Sequence, residues 1–285
     1  MNFELIKDID SAKVVFGMNE SGIASFLGIS MMTLNRWRRG MVAPSYEALE
    51  KAYGRIYEAG LNLNRVKEEL YSSKLKDGHA LLFHGAKGEM KGEPSIAYSE
   101  GKKDFGKAFY LGESFEQSAS FVVNFDRSSV YVFDFDKEGI KFKEFSVCRE
   151  WMILIAYFRG RLQGYEDSPY LKGLLASLEG VDVVIAPIAD NTMYTILDDF
   201  ISGLITDLQC LNALSANRLG RQCVFLNDEA IKKSLRIQER LFYCQSERRD
   251  YRAYRLKEDE IGKNKVKLAL REYAGKGTYI EDLLS

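Results

Sequence analysis

The spacing of apolar residues along the chain changes near residue 76. Before that point, apolar side chains recur at intervals of three and four, as on one face of a helix, at Tyr46, Leu49, Tyr53, Ile56 and Tyr57. The helical spacing continues after Gly60, so this part of the chain is predicted to be all helix. A polar stretch at residues 72–78 separates it from a differently patterned region. We therefore predict two domains, residues 1–76 and 77–285.

The second region carries short apolar runs bounded by glycine, aspartate and asparagine. Its pattern predicts six strands, at residues 80–84, 108–111, 130–135, 140–145, 181–186 and 222–226. It also predicts four helices, at residues 114–123, 147–158, 194–208 and 229–235. Residues 236–285 read as a charged C-terminal extension in which 246–276 is a solvated helical segment. The predicted fold class is α+β.

Composition narrows the range of functions. A chain of 285 residues that is 46% hydrophobic and 28% charged can bury a core and is not intrinsically disordered. Because 40 Lys+Arg face 41 Asp+Glu, any contact with nucleic acid must be local. Two histidines, and four cysteines without a Cys-x-x-Cys pair, predict neither a metal site nor disulfides, as in a cytoplasmic protein. The longest apolar run, residues 151–158, is too short for a membrane span.

A helix-turn-helix pattern lies within residues 1–76. A small residue at Ala24, a turn glycine at Gly28 and an apolar Leu34 have the spacing of that motif. The region at 14–60 resembles the DNA-binding domains of phage repressors. That resemblance implies that a second helix, at residues 31–39, enters the major groove and presents Thr33, Asn35, Arg36, Arg38 and Arg39. The alternative is a small helical bundle that binds a partner protein or packs against its own second domain.

Candidate chemistry begins at an apolar strand that ends in His84 and Gly85. A glycine-containing turn in residues 104–112 then leads into a second short strand that carries Tyr110. A helix with a serine cap follows, and it places Ser118 and Phe121 eight and eleven residues after the tyrosine. The pattern therefore consists of a strand that ends in a histidine, a strand that carries a tyrosine, and a helix that carries these two side chains at fixed spacing. The combination is a more specific sequence signal than any one of its members.

This set resembles the NAD-binding core of the ADP-ribosyltransferases. The similarity is to the His-Tyr-Glu branch, which includes diphtheria toxin and the poly(ADP-ribose) polymerases, and to an uncharacterised bacterial family of ADP-ribosyltransferase-like proteins. It implies a split β-sheet with flanking helices. It also implies that His84 binds the adenosine ribose of NAD and that the backbone of Gly85 and Ser118 bind the nicotinamide amide. Tyr110 and Phe121 would stack on the nicotinamide ring.

The third catalytic position departs from the pattern of that branch. On the late strand at 222–226, Gln222 stands where the resemblance implies a glutamate. Glutamine can orient a ribose hydroxyl, but it supplies no negative charge and takes no proton. We therefore expect transfer of a single ADP-ribose, or a protein that binds NAD without catalysis. In the transferases that this region resembles, arginine specificity is associated with a second glutamate two residues before this position. Because position 220 is glycine, the resemblance implies acceptors other than arginine. Asp190 either caps the helix after its strand or supplies the missing carboxylate.

The expected function is an NAD-dependent mono-ADP-ribosyltransferase, a glycosyltransferase that modifies a protein or nucleic acid. NAD is its expected ADP-ribose donor and no metal is expected. The N-terminal module would bind DNA or regulate the enzyme, as in a bacterial toxin or phage-defence effector, for which an antitoxin is a further partner. One alternative is a transcriptional regulator that senses NAD or ADP-ribose without catalysis. Another is an NAD glycohydrolase, which passes the sugar to water.

Overall fold

The computed structural model describes residues 2–99, 102–188, 191–216 and 220–285. The chain is a mixed α+β protein with an N-terminal helical region and a seven-stranded sheet. It divides into two compact units. The first comprises Met1–Lys91, Ser114–Phe135 and Arg236–Tyr254. The second comprises Gly92–Glu113, Asp136–Leu235 and Arg255–Ser285.

Helices form every regular element of residues 2–76, as predicted. They are α1 (Leu5–Val15), α2 (Glu20–Leu27), α3 (Met31–Arg38), α4 (Tyr46–Glu58) and α5 (Leu63–Ser72). The last four begin at side-chain caps, because Asn19, Ser30, Ser45 and Asn62 each accept a hydrogen bond from a backbone N–H of the first turn. Gly28 ends α2 with φ +67°, a left-handed conformation that favours glycine. This is the residue predicted to make the turn.

The helical region shares its core with the chain's last strand. Ile9, Leu34 and Ile56 lie in one buried apolar cluster with Phe242 of strand β7 (Leu235–Phe242). The ring of Tyr53 stacks on Phe242 with a centroid distance of 4.8 Å. Residues 1–76 therefore pack with a segment from the other end of the chain. The domain division at 76/77 stays a prediction.

Three strands belong to the first unit. They are β1 (His79–Ala86), β3 (Ser129–Asp136) and β7, in the order β1-β3-β7. Helix α6 (Phe115–Ser120) packs against β1 through Phe83, Phe115 and Ala119. This unit therefore carries the predicted residues His84, Gly85, Ser118 and Phe121.

The second unit carries the other four strands. They are β2 (Phe109–Gly112), β4 (Phe142–Glu144), β5 (Val183–Pro187) and β6 (Arg221–Phe225), in the order β4-β5-β6-β2. β4 and β5 are parallel, whereas the other two pairs are antiparallel. A one-turn 3-10 helix lies at Ile96–Tyr98, and the α-helices are α7 (Arg149–Phe158), α8 (Pro169–Ala176), α9 (Asn191–Ile201), α10 (Asp207–Ser215), α11 (Asp228–Ser234) and α13 (Ile280–Leu284). The core surrounds α7, whose apolar residues from Trp151 to Ala156 are all buried.

One predicted element was wrong. The helix expected at 194–208 ends at Ile201, and α10 starts separately after Thr206, whose side chain caps it in a capping box. Residues 236–285, predicted as a charged extension with a helical segment at 246–276, contain most of β7 and then α12 (Gln245–Glu272). The six predicted strands are present with shifted ends. Among the described residues, no helix is long and apolar enough to cross a membrane.

Candidate functional site

Tyr110 and Gln222 lie on one face of neighbouring strands in the second unit. In the antiparallel pair of β2 and β6, Tyr110 is opposite Val224 and Gly112 is opposite Gln222. Residues two apart on a strand share a face, so these two predicted catalytic residues are diagonal neighbours. The strand register thus brings together side chains that are far apart in the sequence.

A turn at residues 104–106 holds Tyr110. The tyrosine hydroxyl donates a hydrogen bond to the Gly106 carbonyl (2.8 Å) and accepts one from the Phe105 N–H (3.1 Å). Gly106 has φ +69°, and an added Cβ would lie 3.1 Å from the ring of Phe158, so the turn requires glycine. Burial raises the pKa of Tyr110, which keeps its hydroxyl a donor.

The first residue of the same turn, Asp104, holds Gln222. Nε2 of Gln222 donates to Oδ2 of Asp104 (2.9 Å) and to the Pro187 carbonyl (3.2 Å). An ionised carboxylate only accepts hydrogen bonds, so the amide nitrogen must face Asp104 and the carbonyl Oε1 must point away. Among the described residues, none donates a hydrogen bond to that Oε1. The Gln222 oxygen is thus presented as an acceptor.

Asp104 is only 5% exposed and is paired with a cation. Arg159, which caps the end of α7, donates to Oδ1 through Nε (3.0 Å) and Nη2 (2.7 Å). The Tyr194 hydroxyl of α9 donates to the same oxygen (2.9 Å), and the Arg159 guanidinium lies over the Tyr194 ring. Burial of a carboxylate is costly unless it is paired and hydrogen-bonded, and here both conditions hold.

Sequence reasoning missed the role of Asp104, although the residue begins the turn segment that drew attention to Tyr110. Its partners Arg159 and Tyr194 lie 55 and 90 residues away, and Gln222 lies 118 residues away. The available signal was an aspartate two residues before the turn glycine Gly106 and six residues before Tyr110. That signal does not identify partners at such separations.

The first unit brings Gly85 against Ser118. A Cβ added to Gly85 would lie 2.3 Å from the Ser118 carbonyl oxygen and 3.2 Å from Cγ1 of Val122. Oγ of the buried Ser118 donates to the Phe83 carbonyl of β1 (3.0 Å). The glycine after the histidine is therefore needed because the backbones of β1 and α6 approach closely. His84 is half-buried beside this contact.

Phe121 follows α6 and is 54% exposed. The segment after it is held by α12. Arg248 donates to the carbonyls of Phe125 (2.8 Å) and Ser128 (3.1 Å), and Arg252 donates to that of Val123 (2.6 Å). Phe121 thus presents an accessible aromatic ring from an anchored segment.

The predicted DNA-binding residues lie on or next to α3, and Asn35, Arg36 and Arg39 are exposed. Thr33 is half-buried, and its hydroxyl lies 2.9 Å from that of Ser30, the cap of the helix. Arg38 is used within the fold, because its guanidinium bonds both oxygens of Asp10 at 2.5 and 3.0 Å and also contacts Glu20. Such a bidentate pair competes with any phosphate or base for the same guanidinium.

Other polar positions lie apart from these groups. Asp190 falls outside the described residues. Nδ1 of His79 lies within hydrogen-bonding distance, 2.6 Å, of the Asp134 carboxylate in the first unit. In the second unit, a cleft of about 430 Å³ includes Pro187 and Arg221 but neither Tyr110 nor Gln222 among its lining residues. Within the described ranges, no group of three or more His, Cys, Asp and Glu could hold a metal ion.

Comparison with known proteins finds a family match for the central part of the chain. A family model described as a protein of unknown function (DUF3990) matches residues 80–236, more than half of the sequence. The matched segment contains every predicted catalytic and NAD-binding residue and none of the predicted DNA-binding residues. No curated protein matches the chain. No solved structure matches it either.

Proposed function

We propose that this chain, which belongs to the DUF3990 family of proteins of unknown function, is an NAD-dependent mono-ADP-ribosyltransferase acting on a macromolecule. One observation carries the proposal. The turn at residues 104–106 bonds both Tyr110 and Gln222, the two predicted catalytic residues of the second unit. The resemblance assigns a catalytic role to both side chains, and a shared anchor supports a joint role.

The second unit supplies the groups for the reacting end of NAD. Because its hydroxyl is tied to the turn, the Tyr110 ring has a fixed orientation and can stack on a planar nicotinamide. The Gln222 Oε1 can accept a hydrogen bond from a ribose hydroxyl, since both amide protons are already used. Pre-oriented groups of this kind lower the barrier because they need no reorganisation during the reaction.

The first unit supplies groups of the type that binds a carboxamide and an aromatic ring. Gly85 has no side chain of its own, and its backbone lies against that of Ser118. The Ser118 hydroxyl donates to Phe83 and retains lone pairs that can accept from an amide. The accessible Phe121 ring can stack on nicotinamide, and His84 is assigned to the adenosine ribose by the resemblance alone.

The proposed reaction is a glycosyl transfer. The bond between C1′ of the ribose and the nicotinamide nitrogen breaks, and its electron pair neutralises the pyridinium, which leaves as nicotinamide. A lone pair of the acceptor then forms a bond to C1′ of the oxocarbenium-like sugar, and the acceptor loses one proton. The products are nicotinamide, the ADP-ribosylated acceptor and H⁺. No oxidant, reductant or metal is needed for this balance.

The first experiment would incubate the full chain with labelled NAD and a cell lysate that contains protein, DNA and RNA. Nicotinamide release and label transfer would be followed for the parent protein, Tyr110→Ala and Gln222→Ala. Tyr165→Ala is the matched control, because Tyr165 is a half-buried tyrosine of the second unit outside this group. We expect both signals in the parent and the control, and losses of about 100-fold or more in the two site variants.

Three other outcomes would count against the proposal. Free ADP-ribose without a labelled acceptor would indicate an NAD glycohydrolase. Binding of NAD without nicotinamide release would favour a non-catalytic NAD sensor. Label transfer that persists in Tyr110→Ala and Gln222→Ala would show that the reaction uses other residues.

For the N-terminal region we propose DNA contact through the exposed side chains of α3. Arg36→Ala and Arg39→Ala should each weaken binding to duplex DNA and reduce its dependence on salt, because each would remove one phosphate contact. Arg38→Ala should mainly lower stability, since it removes one of the two cations, with Lys13, that pair with both Asp10 and Glu20. Absence of any salt-dependent DNA binding by the parent chain would remove this part of the proposal.

A further inference from the structure

We propose that Asp104 is a positioning residue that acts through Gln222, so that the carboxylate and the amide work as one unit. The inference rests on the proposed function, in which the Gln222 oxygen meets the ribose of NAD. Gln222 alone is neutral, yet the sugar becomes cationic as nicotinamide leaves, and catalysis requires negative charge directed at it. Asp104 is the carboxylate that touches Gln222 within the described residues.

The geometry fixes the Gln222 oxygen. An amide group is planar, and both protons of Nε2 are held, one by Oδ2 of Asp104 and one by the Pro187 carbonyl. Fixing both N–H directions also fixes the direction of Oε1. A hydrogen bond from the amide to a carboxylate is charge-assisted, and it polarises the amide so that the oxygen carries more negative charge. Asp104 thereby both aims and strengthens this acceptor.

Asp104 is itself prevented from turning. Arg159 and Tyr194 hold its Oδ1, which leaves Oδ2 directed at Gln222. The positive charge of Arg159 offsets part of the carboxylate charge, but this guanidinium bonds the far oxygen and its side chain is 25% exposed, so water screens it. The buried contact between Asp104 and Gln222 has no such screening, because the two residues are 5% and 6% exposed.

Replacement by asparagine tests this arrangement directly. Every hydrogen-bond partner of a carboxylate is a donor, so the amide of Asp104→Asn must turn an N–H toward a donor whichever way it flips. We expect kcat for nicotinamide release to fall about 10- to 100-fold while KM for NAD changes less than about 2-fold, as for removal of a group that acts through another. A merely structural role would leave kcat per mole of folded protein unchanged.

Asp207→Asn is the matched control. Like Asp104, Asp207 is a buried aspartate of the second unit that is paired with an arginine, Arg149, but it contacts no predicted site residue. It should lower thermal stability at least as much as Asp104→Asn and leave kcat per folded mole unchanged. Equal kcat values for the two variants would overturn the proposal.

A double variant exchanges the two chemical groups. In Gln222→Glu alone, two carboxylates face each other across a distance of 2.9 Å. In Asp104→Asn with Gln222→Glu, the asparagine oxygen can face Arg159 and Tyr194 while its N–H groups face the new glutamate. Both proteins share the contact of that glutamate with the Pro187 carbonyl, so their comparison isolates position 104. We expect the double variant to exceed each single variant in kcat by about 10-fold.

Additive losses in the double variant would contradict the coupling. An NMR measurement separates this failure from failure of the proposed function. The side-chain amide signal of Gln222, assigned by its loss in Gln222→Glu, should shift and exchange faster with water in Asp104→Asn but not in Asp207→Asn. If this signal shifts in Asp104→Asn but the parent protein releases no nicotinamide, only the proposed function is refuted. If the parent protein is active but the signal does not shift in Asp104→Asn, only the role of Asp104 is refuted.

Discussion

The two groups of predicted site residues are held by different forces. In the first unit, Gly85 and Ser118 are neighbours because two backbones approach too closely for any side chain at position 85. In the second unit, Tyr110 and Gln222 are held by hydrogen bonds to one turn that begins at Asp104. The first constraint is steric and local to one strand and one helix. The second is polar and depends on partners far apart in the chain, and each can be broken without touching the other.

The largest expected effect is on the steric contact. Gly85→Ala should lower the free energy of unfolding by about 3 kcal/mol or more, because its Cβ would lie 2.3 Å from the Ser118 carbonyl. Gly88→Ala is the control, since nothing lies within 4 Å of a Cβ at that nearby position. Urea denaturation of both variants would check this. Similar losses for the two would show that β1 and α6 can separate cheaply.

The next effect tests the polar group and depends on pH. In Gln222→Glu the new carboxylate meets Asp104, so the pair should share a proton and one of the two pKa values should rise in the folded state. The folded variant then binds more protons than the unfolded chain above about pH 4, and its stability relative to the parent should fall as pH increases. We expect a loss of roughly 2 kcal/mol at pH 8 and much less at pH 5. A loss independent of pH would argue against contact between the two carboxylates.

Glu247, a buried acidic residue of the first unit, can be compared with Asp104 of the second unit. Glu247 accepts a hydrogen bond from Asn64 (2.8 Å) on one oxygen, and its other oxygen has no hydrogen-bond partner within the described residues. Burial raises the pKa of Glu247 to about 8. Asp104 is also buried, but it differs from Glu247 in being paired with an arginine, Arg159.

Between pH 4.5 and 8 the folded chain therefore keeps a proton on Glu247 that the unfolded chain releases, and stability falls as pH rises through this range. Glu247→Gln cannot ionise and should be more stable than the parent at pH 8, by roughly 1–3 kcal/mol. Parallel stability curves from pH 5 to 8 for the two proteins would contradict a buried protonated Glu247.

The smallest effect on stability is expected at Phe121. Because its ring is 54% exposed, Phe121→Ala should change the free energy of unfolding by less than about 0.5 kcal/mol. If the ring stacks on nicotinamide, the same change should weaken NAD binding about 10-fold, as measured by calorimetry. Unchanged affinity would restrict the role of this exposed ring to something other than NAD.

The sequence predicted the elements well where short-range pattern decides them. The helices of residues 2–76 have polar caps and regular apolar spacing, and the turn glycine Gly28 adopts the left-handed conformation expected of it. Prediction failed where local pattern was ambiguous. Residues 194–208 read as one helix, and only the capping box at Thr206 marks the second start. Strand β7 was not predicted, and its charged residues Glu239 and Arg240 are both buried.

The sequence by itself determined which residues are candidates for chemistry, because a histidine–glycine pair, a tyrosine strand and a serine-capped helix are local features with fixed spacing. Only the tertiary structure decided how they are held. The strand register places Tyr110 and Gln222 on one face, and the turn at Asp104 bonds both of them. The physical reason is that a buried hydrogen bond depends on distance and direction in space, whereas partners separated by 118 residues leave no pattern in a single chain.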